Sequence, residues 1–217
     1  MATVTAVHGA AGDHQHETSL EDTFDFLNTI ELESGSLVDH FGSFDDAARW
    51  FDDRGILHSD LAGERSTRAR TADLARIKAV REALRDVAHA VAEDRPAHPE
   101  SLAEVNRAIA ARERIELVQE PDGVSVGHSH IGDPLDDALA RLADPLVAEI
   151  QAGNADRVKI CANDTCRWVF YDESRAGRRR WCDMATCGNR AKAARHRARL
   201  KASRADTTAE GPNPKAN

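Results

Sequence analysis

Apolar residues along this chain recur mostly at helical spacing, interrupted once by strict alternation. In "LEDTFDFLNTIELE" (20–33), Phe24, Leu27 and Ile30 stand at i, i+3 and i+6 and predict a short helix. "GSFDDAARWFDDRGIL" (42–57) has Ser43 as N-cap, acids in the first turn, Trp50 and Phe51 inside, and Gly55 as a stop. From Thr71 to Val91 the residues Leu74, Ile77, Leu84, Val87 and Val91 keep helical period, until Asp94-Arg95-Pro96 ends it. "PESLAEVNRAIAAR" (99–112) predicts another helix, and "DPLDDALARLADPLVAEIQAG" (133–153) a further one, kinked at Pro145 and closed by Gly153-Asn154. Between them "RIELV" and "VSVGHS" alternate on either side of a Pro121-Asp122-Gly123 turn, which is a hairpin signal. Residues 1–18 and 205–217 are small and polar with no period, and are expected to lack order. The expected fold class is α+β: a mostly helical body over 19–153 with one β-hairpin, then a small unit over 157–204.

At 217 residues the chain is long enough for one sizeable domain and a small second one. No run of 18 apolar residues occurs, so no membrane span is expected. The first 23 residues carry neither a basic region nor a long apolar stretch, so no signal peptide is expected and the anticipated location is the cytoplasm. Thiols stay reduced there, and clustered cysteines bind metal more often than they cross-link. The body holds no Gly-rich phosphate loop, no Gly-x-Ser-x-Gly elbow and no catalytic constellation, so no enzyme activity is expected. His14 with His16, and His128 with His130, are spaced to share a strand face and bind a metal, though loop histidines without one are commoner.

All four cysteines lie in one stretch: Cys161-x4-Cys166, 15 residues, then Cys182-x4-Cys187. Two short pairs at that separation are the pattern of a four-thiolate zinc site, since each tight turn supplies two ligands and the intervening segment brings the turns together. "RWVFYD" (167–172) and "RRRW" (178–181) alternate around "ESRAG" and predict the hairpin that does so. Asp183 can cap a helix starting near Met184, placing Cys187 in its first turn. The plan is treble-clef-like: knuckle, hairpin, then a helix giving the last ligand. Four thiolates leave no open coordination position, so one structural Zn2+ per chain is expected. Paired disulfides and iron–sulfur ligation are the alternatives; neither accounts for the helix that follows.

Charge sharpens the picture. Residues 157–204 carry 14 Lys and Arg against 4 Asp and Glu, a balance of +10, whereas residues 1–156 stand at −17. On a helical wheel Ala191, Ala194, Ala198 and Ala202 form a smooth stripe suited to lie against the finger. Arg190, Arg197, Lys201 and Arg204 form a second stripe and Lys192, Arg195 and Arg199 a third, with His196 between them. Part of the charge, at Arg167, Arg178 or Arg190, can offset a formally −2 metal centre; the rest calls for a polyanion. DNA is the expected partner and RNA the alternative, with Arg178, Arg179, Arg180, Asn189, Arg190, Lys192, Arg195, Arg197, Arg199 and Lys201 as candidate contacts. Trp168, Phe170, Tyr171 and Trp181 either stack on unpaired bases or form the finger's own core. Gly153 to Asp156 reads as a short tether, across which the acidic body would compete with phosphate for the same arginines.

"WCDMATCGNRAKAARHRAR" closely resembles the CGNR zinc finger, named for the residues that stand here as Cys187, Gly188, Asn189 and Arg190. "FDFLNTIEL", "AARWFDDRGIL", "IKAVREALRDVAHAV" and "LAEVNRAIA" resemble the ABATE domain that precedes this finger in bacterial stress-response regulators of transcription. Together the resemblances cover about residues 20–202. They imply a bacterial regulator, nucleoid-associated when bound, whose finger holds zinc through Cys161, Cys166, Cys182 and Cys187 and contacts DNA. The acidic domain would then be a regulatory module open to a small-molecule effector. An RNA-binding or ribosome-associated module and a thiol-based redox sensor are the competing functions.

Overall fold

The computed structural model describes residues 18–33, 36–57, 65–112, 114–120, 123–129 and 133–209. His14, His16 and His130 lie outside these, as do 1–17 and 210–217 of the two segments, 1–18 and 205–217, expected to lack order; residues 205–209 instead continue the last helix, Asn189–Ala209. Helix α1 (Leu20–Leu27) starts at a reciprocal cap: Ser19 accepts from the Asp22 N–H while Asp22 accepts from that of Ser19. The helix stops at Asn28, short of the expected end, and Ile30–Glu33 instead forms strand β1, antiparallel to β2 (Ser36–Asp39). Thr29 and Ile30 are β-branched and Ile30-Glu31-Leu32-Glu33 alternates strictly, so period two wins over the i+6 match of Ile30. Helix α2 (Phe44–Asp53) has the same reciprocal cap between Ser43 and Asp46, and Gly55 follows at φ +61° as its stop signal predicts.

Helix α3 (Thr67–Ala92) begins a turn earlier than the apolar period suggests, because Ser66 caps it through the Ala69 N–H. Helix α4 (Pro99–Ile109) opens on proline. Strands β3 (Arg114–Glu120) and β4 (Gly123–Ser129) then pair as the alternation predicts, Glu120 opposite Gly123. Helix α5 (Pro134–Gln151), capped by Asp133, runs on through Pro145. It is the buried axis of the body. Leu139, Leu142 and Leu146 have no exposed surface and pack with Phe26 and Leu27 of α1 and Ile77, Val80 and Leu84 of α3. Phe26, Phe41, Trp50 and Phe51 close one end, with ring centroids 5.3–6.1 Å apart. Arg81 lies inside this shell at 1% exposure, made tolerable by a bidentate pair with Asp39 (2.7 and 3.0 Å) and a bond to Thr29.

The C-terminal unit is docked, not tethered. A 3-10 turn at Ala155–Arg157 leads directly into strand β5 (Val158–Ile160), antiparallel to β6 (Val169–Tyr171). The expected hairpin between 167–172 and 178–181 does not form: β6 takes β5 as its partner, and 178–181 follows as irregular chain. Val158 and Val169 are buried in the same cluster as the leucines of α3 and α5. Alternation along β6 then sends Val169 to the body, Phe170 to the cysteine side and Tyr171 back to the body. Asn28, at the end of α1, serves as a surrogate strand residue: its Nδ2 donates to the Val169 carbonyl and its Oδ1 accepts from the Val169 N–H, both at 2.9 Å.

Replacing Asn28 with alanine strands both Val169 peptide groups in a buried seam. A cost of about 2–4 kcal/mol is expected in urea denaturation, with body and finger still melting in one transition. Separate transitions in the wild-type chain would show that the seam does not couple them.

Candidate metal centre

The first ligand pair is delivered by β5 and β6. Cys161 directly follows β5, and its N–H donates to the Trp168 carbonyl at 2.8 Å. The chain then folds into a knuckle in which the Cys166 and Arg167 N–H groups both donate to the Asn163 carbonyl (2.8 and 3.1 Å), and Arg167 takes the left-handed φ of +59°. The Asn163 side chain holds this turn: Oδ1 accepts from the Thr165 N–H and hydroxyl, and Nδ2 points across to the Cys187 Sγ at 3.4 Å. The second pair sits around a π-helical turn, Met184–Gly188, whose N-cap is Asp183; its carboxylate accepts the Thr186 N–H and hydroxyl, both at 2.7 Å. Cys187 is buried on that turn, as the cap signal at Asp183 predicts.

All four Sγ atoms lie within 4.8 Å of one another, with Cys166 to Cys182 at 3.7 Å and Cys182 to Cys187 at 3.8 Å. A tetrahedron with metal–sulfur bonds of about 2.3 Å has edges of about 3.8 Å, so the donor set fits a four-coordinate ion closely. None of the cysteines is in a disulfide. Burial, reinforced by the nearby Cys161, pushes the Cys166 thiol up to about 12, and burial with Cys166 and Cys161 close by raises Cys182 as well. Cys187 moves the other way: although burial opposes it, the Asn163 amide and the surrounding thiols lower it. Four thiols this close cannot shed their protons together unless a cation neutralises them, so metal binding here must release protons.

The basic residues divide into two groups. Arg179, although exposed, folds back on the finger, its guanidinium 5.1 Å from the Phe170 ring and donating to the Trp181 and Cys182 carbonyls, where it braces the loop that carries the second ligand pair. Arg180 and Arg195 both lie over Trp181, at 5.3 and 5.9 Å, and Arg195 thereby ties the last helix, α6 (Asn189–Ala209), to the finger. Asn189 is exposed, but its side chain donates back to the Ala185 carbonyl at 2.9 Å. Arg178, Arg190, Lys192, Arg197, Arg199 and Lys201 are exposed. The alanine stripe does not lie along the finger as expected: Ala191 is partly covered, while Ala194 and Ala198 face solvent. Arg195, in the second turn of α6, still reaches the finger, while the side chains from Lys192 to Lys201 are all exposed.

Body residues also reach the centre. Arg85 of α3 donates to the Leu27 and Ile30 carbonyls (2.9 and 3.1 Å) and contacts the Arg167 carbonyl of the knuckle at 3.5 Å, joining the end of α1 to the ligand turn. Trp168 Nε1–H donates to Glu31 (2.8 Å), Arg167 pairs with Glu93 (2.8 Å), and Tyr171 donates to Glu149 (2.6 Å), which pushes the phenol up to about 12. Neither Asn163 nor Arg85 stood out in the sequence. The only advance signal was an asparagine two residues after a ligand cysteine, where Asx side chains favour turns.

The model of the CGNR zinc finger matches residues 157–200, and that of the ABATE domain, described as "Putative stress-induced transcription regulator", matches residues 23–153. The second match spans more than half of the chain. This protein belongs to the ABATE family. No curated protein matches it. The ABATE match ends where α5 ends and the CGNR match begins where β5 is about to start, yet the two regions share one hydrophobic cluster. Among the described residues, no helix is long and apolar enough to cross a membrane.

Two outcomes follow for the CGNR centre and its seam with the ABATE domain. Asn163→Ala removes the amide from Cys187 and loosens the knuckle, so metal affinity measured against a chromophoric chelator should fall about tenfold. His89 of α3 has a buried Nε2 without a hydrogen-bond partner; burial, with Arg85 next, lowers its pKa to about 4 from 6.5. Folding therefore favours neutral His89, and the stability it contributes is full above pH 6.5 and lost as pH falls towards 4. After discounting for solvent screening, a loss on the order of 1–2 kcal/mol is expected across that window. Urea melts of His89→Leu should show a flatter pH dependence than the wild type between pH 6.5 and 4.

Proposed function

We propose that this protein is a zinc-dependent, DNA-binding regulator of transcription. One Zn2+ per chain is held by Cys161, Cys166, Cys182 and Cys187, and α6 makes the main DNA contact. The observation that carries this reading is a long, exposed, basic helix growing directly from a closed four-thiolate cluster. Its 21 residues extend about 31 Å, close to one turn of B-DNA, and the major groove admits a helix of that width. Arg190, Lys192, Arg197 and Lys201 are the leading phosphate contacts, with Arg178 and Arg199 beside them. Arg179, Arg180, Arg195 and Asn189 chiefly shape the finger. Four thiolates fill the coordination sphere, so the zinc is structural and no catalytic role is assigned.

Duplex DNA is favoured over unpaired RNA by the state of the aromatic residues. Phe170 is buried, Trp168 and Tyr171 are hydrogen-bonded to body carboxylates, and Trp181 carries two arginines. All four are buried or partly buried and already engaged within the fold, which favours a core role over that of stacking platforms. Asn28 and Arg85 of the ABATE domain hold Val169 and Arg167 beside the first ligand pair, so an effector that shifts α1 or α3 would act on the finger through these contacts.

The test is fluorescence anisotropy with duplex DNA, on protein shown by metal analysis to hold one zinc per chain. If about five phosphates are neutralised, log K should fall with log salt at a slope near −4 to −5. Arg190→Ala/Arg197→Ala/Lys201→Ala should lower affinity and reduce the slope by about 2–3. An affinity independent of salt, or a triple variant that binds like the wild type, would overturn the reading.

A further inference from the structure

The β3–β4 hairpin forms a ribbon of its own; among the described residues no third strand joins it. Its register sets Leu117 opposite Val126 and Gln119 opposite Val124, so positions 115, 117 and 119 share a face with 124, 126 and 128. That face is mostly Ile, Leu and Val. Leu117 is 78% exposed, the most exposed large apolar side chain among the described residues, and Val124 is 66% exposed. A two-stranded ribbon alone is marginal in water, and an open strand edge is a template for another strand.

The sequence of β3, Arg-Ile-Glu-Leu-Val-Gln-Glu, complements its own reverse. Two copies related by a two-fold axis perpendicular to the ribbon run antiparallel, and residues of the same parity come opposite each other. With the axis at Leu117, Arg114 of each copy stands opposite Glu120 of the other, Ile115 opposite Gln119, Glu116 opposite Val118, and Leu117 opposite itself. Two opposite-charge pairs form and no like charges meet. Moving the axis to Glu116 sets that residue against its own copy; moving it to Val118 sets Glu116 against Glu120. Strand β4, Gly-Val-Ser-Val-Gly-His-Ser, contains no Asp, Glu, Lys or Arg and favours no register. An axis at Ile115 would also set Arg114 against Glu116, but it pairs only three residues of each strand, and an axis at Gln119 forms no charge pair; the alignment centred on Leu117 joins opposite charges and pairs all seven residues, and Leu117 is the most exposed leucine among the described residues.

We infer that the outer edge of β3 is a homodimer contact. A second copy of this chain adds its β3 to form a four-stranded antiparallel sheet, with the two Leu117 side chains meeting at the axis. Cross-strand pairs of this kind supply both the attraction and the register. The contact is small, which sets the dimer in the micromolar range. If the DNA-binding reading holds, the same axis relates two copies of α6 and suits a two-fold symmetric DNA site; the dimer itself does not depend on that reading.

Sedimentation of the full-length, metal-loaded chain up to about 100 µM tests the proposal. The wild type should dimerise. Arg114→Glu and Glu120→Arg should each place like charges opposite one another twice and weaken the dimer about tenfold or more. The double variant Arg114→Glu/Glu120→Arg restores opposite charges and should restore the dimer. Circular dichroism and metal content serve as checks that each variant remains folded. A wild type that stays monomeric, single variants that dimerise as the wild type does, or a double variant that fails to recover would each overturn the inference.

Discussion

Three positions separate Cys166 from Val169, and over that span the chain passes from a sulfur tetrahedron into the main hydrophobic core. On the partner strand, Val158 is buried in that core and Cys161 follows three positions later. Strands β5 and β6 thus belong to the body at one end and to the ligand cluster at the other. The remaining two cysteines lie on the segment that carries α6. A metal ion at the four sulfurs joins a pair fixed to the ABATE domain with a pair fixed to the basic helix. Without it, the two halves meet through a few weaker contacts, chiefly Asn163 on Cys187, Arg179 on the loop carbonyls and Ala162 N–H on the Arg180 carbonyl.

The charge asymmetry of the chain is resolved at the same seam. Glu31, Glu93 and Glu149 of the body accept from Trp168, Arg167 and Tyr171, three donors spread over five residues of the knuckle and β6. Acidity that could have served solubility alone is partly placed to hold the finger. Each of these bonds is individually modest, as surface and rim contacts are. Together with Asn28 and Val169 they replace an expected tether by a fixed orientation.

What could be read in advance was local. The caps at Ser43 and Asp183, the stop at Gly55 and the pairing of Glu120 with Gly123 each depend on a few adjacent residues, and each appears where its signal stands. The four cysteines were equally legible, because tetrahedral ligation by paired thiolates restricts their spacing. Pairing over distance was not. Val158–Ile160 is only three residues long, too short to show a period, and so the partner of β6 was assigned to the wrong segment. Asn28, Asn163 and Arg85 act through single side chains across elements, and no spacing rule marks them. Arg179 illustrates the limit of reading charge: although exposed like its neighbour Arg178, it uses its guanidinium on carbonyl oxygens and a ring.

The junction at Gly188–Asn189 has an electrical consequence. The π turn at Met184–Gly188 runs without a break into α6, the Asn189 N–H donating to the Met184 carbonyl, so the positive end of the joined helix's macrodipole lies at the turn that carries Cys187, beside the thiolates. Four thiolates around a divalent cation carry a formal charge of −2, and that charge favours a helix starting there. Twenty-one residues later the negative end of the dipole lies far from the cluster, after a run of arginines and lysines. A helix whose side chains from Lys192 to Lys201 are all exposed is thus favoured at its root by the charge that a metal-loaded cluster would carry.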